Sequence, residues 1–76
     1  MSPDKLIYQA NQIAWFFRSK PHEEGVAGVA EHINKFWEPR IRRQFFELIE
    51  AGDKEFDPLV LEAAAKVRRP ADTAAA

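Results

Sequence analysis

His22 and His32 are the two histidines of this chain, and imidazole is the side chain best suited to carry protons or ligate a metal near neutral pH. They stand ten residues apart, outside an HExxH arrangement, and no cysteine or aspartate lies at ligand spacing beside them. A zinc site is not expected. Ser2 and Ser19 are the only serines and Thr73 the only threonine, and none has the oriented base that activates a hydroxyl nucleophile. Glu23 and Glu24 follow Pro21 at a helix start, where the positive end of the dipole explains two carboxylates better than acid–base catalysis does. Gly25 and Gly28 come after a helix start and not after a strand, so they do not form a phosphate-binding loop. The chain has no cysteine, which removes disulfides, thiolate nucleophiles and iron–sulfur ligation together. Independent catalysis is therefore not expected.

The run from His32 to Arg43 has a different character. It gathers Phe36, Trp37, a helix-starting Pro39 and the arginines Arg40, Arg42 and Arg43 at one corner, a combination that suits docking to another protein. Arginines in the first turn of a helix can also reach phosphates, as in a helix-turn-helix. Against that, Arg43 can pair with Glu47 at i+4, and Glu38 and Glu50 stand nearby. The formal net charge is −1 with both signs intermixed, so the chain lacks the positive field that draws nucleic acid or an anionic membrane. A small nucleic-acid-binding regulator is the least favoured reading.

Prolines divide the chain into the helices that must position these groups. Ser2 as N-cap, Pro3 at the first helical position and Asp4 in the first turn start a helix over Pro3–Ser19, with Leu6, Ile7, Ala10, Ile13, Ala14 and Phe17 facing inward. Pro21 opens a second helix, with Val26, Val29, Ala30, Ile33, Phe36 and Trp37 inward. Pro39 opens a third, closed by Gly52 near Ala51, with Ile41, Phe45, Leu48 and Ile49 inward. Asp57 and Pro58 form the N-cap and N1 pair of a fourth, with Val60, Ala63, Ala64 and Val67 on one side, Lys66, Arg68 and Arg69 near its negative end, and Pro70 as its stop. The expected fold is all-α: a small compact helical domain of three main helices plus a shorter fourth, spanning residues 1–69, with 70–76 as a flexible C-terminal tail. A chain this short buries only about 60–65% of its unfolded surface, so its own stability should be marginal.

The first helix carries more apolar surface than one inward face can use. With Leu6, Ile13 and Phe17 inward, Tyr8 and Trp15 fall nearly opposite, with Gln12 between them and Phe16 at the flank. Either another segment of the chain shields Trp15, or Tyr8, Gln12, Trp15 and Phe16 form a partner-facing stripe; the second is favoured, because exposed apolar patches of this kind mark interfaces. Trp37, Arg40, Arg42 and Arg43 are a second candidate contact, with Trp37 more readily core than contact. His32 reads as a hydrogen-bonded structural histidine at the helix edge, with a contact role open. Gly25 and Gly28 weaken a helix by about 1 kcal/mol each relative to alanine, which points either to close approach of another backbone or to simple tolerance near a helix N-terminus.

Taken together, Lys5-Leu6, Ala10-Asn11-Gln12-Ile13-Ala14 followed by Phe16-Phe17, Val26-Ala27-Gly28-Val29-Ala30 before His32, Phe36-Trp37-Glu38-Pro39-Arg40-Ile41-Arg42 and Asp57-Pro58-Leu59-Val60 resemble the delta subunit of soluble, NAD-dependent, molybdenum-containing formate dehydrogenases. The resemblance extends to about Arg69, with His32 to Arg42 its most specific stretch. Glu38 stands where the family pattern leads one to expect aspartate, and Ile41 where it leads one to expect methionine; both keep the character of the position. The resemblance implies a non-catalytic accessory subunit of a complex that oxidises formate and passes electrons to NAD⁺. Its partners would be the large molybdenum-containing catalytic subunit and the other formate dehydrogenase subunits, with no nucleic acid and no membrane. It further implies that a molybdenum bis-pyranopterin guanine dinucleotide centre, iron–sulfur clusters and FMN belong to those larger subunits, and that this chain binds no cofactor. Support of assembly, stability or molybdenum-cofactor insertion is the implied role, and a transient assembly chaperone of the apo catalytic subunit is the alternative. No apolar run approaches the ~18 residues that span a bilayer, and Met-Ser-Pro-Asp does not resemble a secretory leader, so a cytoplasmic setting is expected.

Overall fold

Ser2 Oγ accepts the backbone N–H of Lys5 at 3.3 Å, which satisfies one of the free amides at the start of α1 (Pro3–Phe17). The computed structural model describes residues 2–52 and 55–69. Among these, three further helices follow: α2 (His22–Phe36), α3 (Pro39–Glu50) and α4 (Pro58–Ala64), with no strand. The expected all-α domain is thus observed. The expected tail from residue 70 lies outside the described residues, as does Pro70 itself.

The boundaries shift where backbone chemistry overrides periodicity. α1 ends at Phe17, not Ser19, because the Arg18 and Lys20 amides turn back to the carbonyls of Trp15 and Phe17, and the residue before a proline is disfavoured in helical conformation. Pro21 is extended (ψ 147°) and acts as the N-cap of α2, its carbonyl accepting the Gly25 N–H at 2.8 Å. Pro39 and Pro58 take the first-turn positions expected of them, and Asp57 Oδ1 caps α4 by accepting the Leu59 N–H at 2.9 Å. Gly52 follows the C-cap Ala51 with φ +84°, a left-handed conformation that glycine adopts without a Cβ clash.

The core is built from Leu6, Ile7, Ala10 and Ala14 of α1, Val26, Val29, Ala30 and Ile33 of α2, Phe45 and Phe46 of α3, and Phe56, Val60, Ala63 and Val67 of the C-terminal segment. Phe45 is fully buried at its centre, with the rings of Trp37, Phe46 and Phe56 at centroid distances of 5.5–5.6 Å. Phe36, expected inward, is instead 70% exposed. A step of about 100° per residue brings Trp37 near the middle of the inward arc defined by Val26, Ala30 and Ile33, and leaves Phe36 at its edge. Phe46 goes the other way: it lies off the arc of Ile41, Phe45, Leu48 and Ile49, yet is buried, because the Arg69 guanidinium covers its ring at 4.2 Å. Phe56, in the loop before α4, is a core residue with no helical periodicity to announce it.

α1, α2 and α4 pack mutually, and the glycines set how closely α1 and α2 approach. A Cβ on Gly28 would collide with the Phe17 ring, and one on Gly25 would stand 3.0 Å from the Phe17 carbonyl oxygen. The close backbone approach expected of these glycines is made within the chain at Gly25, whereas at Gly28 the neighbour is a side-chain ring and not a backbone.

Side-chain amides fasten the C-terminal segment. Asn11 accepts the Asp57 N–H at 2.7 Å and donates to the Glu55 carbonyl at 2.8 Å. Asn34 accepts the Arg68 N–H at 2.8 Å and donates to the Lys66 carbonyl at 3.3 Å. This second clamp accounts for the early end of α4 at Ala64: the backbone tightens into turns through the Lys66 and Val67 amides, then leaves the helix to meet Asn34, with Val67 still buried. Arg69 does not serve the end of α4; it pairs with Glu50 of α3 at 2.9 Å.

Two substitutions test this account. Glycine to alanine inside a helix ordinarily stabilises by about 1 kcal/mol, but Gly28→Ala must displace Phe17 and should destabilise by about 1–3 kcal/mol in urea unfolding. Asn11→Ala removes both bonds to the α4 entry loop and should lower stability by about 1–2 kcal/mol, with the fall in helical circular dichroism tracking the same transition.

Candidate partner interface

The spacing of α1 decides which aromatics stay outside. Once Leu6, Ala10 and Ala14 are buried against α2 and α4, Tyr8, Trp15 and Phe16 are turned away from the core and are 63%, 69% and 69% exposed. No other described segment shields Trp15. Tyr8, Gln12, Trp15 and Phe16 all face outward, with Gln12 exposed beside the aromatics and its Nε2 donating to the Tyr8 hydroxyl. That bond holds two polar groups of the stripe to each other, which lowers the desolvation penalty of covering them.

Two depressions lie along the stripe. A groove of about 340 Å³ is walled by Gln12, Ile13, Phe16, Phe17 and His32, and a shallower one of about 190 Å³ by Tyr8, Asn11, Gln12 and Trp15. Gln12 borders both, so they form one continuous surface. Phe17, packed edge-to-face on Phe16 at 5.0 Å, supplies the floor between surface and core. On the α2 side, His32 is half-buried with its ring 4.8 Å from that of Phe36. Phe36 thereby joins the aromatic surface that α1 begins. Sequence periodicity had assigned it to the core; its place at the edge of the inward arc was the available signal.

The second candidate group does not gather on one outward patch. Trp37 is half-buried and packed against Phe45, as a core residue would be. Arg42 Nε donates to the Trp37 carbonyl at 3.1 Å and its Nη1 to the Arg68 carbonyl at 2.7 Å, so it braces the α2–α3 corner to the C-terminal segment. Arg43 is half-buried and engaged within the chain. Arg40 is exposed. An arginine patch for phosphates would need the three guanidiniums to face solvent together, and two of them are committed elsewhere.

One pair unites residues far apart in sequence: His22 Nε2 lies 2.9 Å from Glu62 Oε1, tying the start of α2 to α4. Both side chains are more than half exposed, in a corner of about 250 Å³ bordered by Phe17, Arg18, Lys20 and Leu59. Asp57 borders the same corner, with its Oδ1 engaged by the Leu59 N–H. Among the described residues, no group of three or more His, Cys, Asp or Glu side chains is placed to hold a metal ion, and no helix is long and apolar enough to cross a membrane.

If the stripe is surface and Phe45 the centre of the core, Trp15→Ala should change the stability of the isolated chain by less than about 0.5 kcal/mol. Phe45→Ala should cost about 3–5 kcal/mol, and paired thermal melts followed at 222 nm measure the contrast.

No curated protein and no solved structure matches the chain. Its sequence does match the family described as NADH-dependent formate dehydrogenase delta subunit FdsD, over residues 5–64. That span takes in the aromatic stripe of α1, both glycines of α2, the Trp37–Arg42 corner and all of α4, so the match covers the elements that build the fold and the exposed face alike. The chain belongs to the FdsD family of formate dehydrogenase delta subunits.

Proposed function

We propose that this protein is a non-catalytic accessory subunit of a cytoplasmic NAD-dependent formate dehydrogenase, docking on the larger subunits and supporting assembly, stability or insertion of the molybdenum cofactor. The observation that carries the reading is the aromatic face of α1, left uncovered by the described residues of the chain. Burying such a face on a partner returns apolar transfer free energy of about 25 cal/mol per Å². It offers that gain to a partner without supplying any reacting group.

The cofactors of the complex, a molybdenum bis-pyranopterin guanine dinucleotide centre, iron–sulfur clusters and FMN, are assigned to the larger subunits. This chain has no cysteine to ligate a cluster, and among the described residues no group of three or more His, Cys, Asp or Glu side chains is placed to hold a metal ion. Its contribution is then to a folded, loaded assembly and not to electron flow.

Deleting the chain from the native host separates these roles. The amount of assembled enzyme, or its molybdenum content per large subunit, should fall, while turnover per occupied molybdenum changes much less. Molybdenum, iron and flavin analysis of the complex purified with and without the chain reads this directly. A fully loaded complex that lost nearly all turnover without the chain, and regained it at once on addition, would overturn the accessory reading. Recovery of the tagged chain only with the apo catalytic subunit, never with loaded enzyme, would favour a transient assembly chaperone.

A further inference from the structure

We draw no further inference here: the strongest candidate, the exposed aromatic face of α1 with the groove it shares with His32 of α2, carries nothing more because nothing in the structure shows what covers it.

Discussion

Two asparagine side chains, Asn11 on α1 and Asn34 on α2, hold the C-terminal segment in place, and the rest of the core depends on it. Each amide acts as a surrogate peptide group, accepting one backbone N–H and donating to a carbonyl nearby. α4 has seven residues, far fewer than the ~12–15 at which an isolated helix becomes marginal in water. It persists because Asp57 caps its start and the clamps fix the segment on both sides. Once seated, the segment brings Phe56 against Phe45 and places Val60, Ala63 and Val67 over α1 and α2. The clamps also restrict where the core can extend, since they pull the backbone out of helical geometry after Ala64.

A chain of this size has enough secondary structure to close one core and no more. Among the described residues, α2 and α4 cover one side of α1 and the other is left in solvent, so Trp15, Phe16 and Tyr8 remain outside by geometry. Surface-to-volume scaling makes this outcome general for small domains, but the residues placed outside are not. Serine, lysine or glutamate at those positions would give an ordinary polar face; aromatics there give one that gains from being covered. The proposed accessory role follows from that composition.

The arginine corner shows charge turned inward. Arg42 satisfies the carbonyl of Trp37, where α2 ends, and that of Arg68, and Arg69 spans from the C-terminal segment to Glu50 and the face of Phe46. Guanidinium groups suit this work because their planar donors can reach two carbonyls at once or lie flat on a ring. Buried helix ends leave carbonyls that need donors, and an arginine supplied from the next helix meets the need at a corner where the chain reverses. In a cluster that suggests nucleic acid in one dimension, Arg42 is in three the brace of the α2–α3 turn.

The sequence by itself determined the all-α class, four helix starts at Pro3, Pro21, Pro39 and Asp57-Pro58, the break at Gly52, most of the core, and the outward stripe of Tyr8, Gln12, Trp15 and Phe16. These are local properties: proline and caps act within a turn, and amphipathic spacing repeats along a single helix. Tertiary structure decided the fate of Phe36, Phe46 and Phe56, the early end of α4, the commitment of Arg42, and the groove that joins α1 to His32 of α2. Each depends on a neighbour distant in sequence: Arg69 covering Phe46, Phe45 receiving Phe56, Asn34 drawing the chain away from α4. A single helix's periodicity specifies which way a side chain points but not what meets it there, and that second fact arises only when separate segments pack.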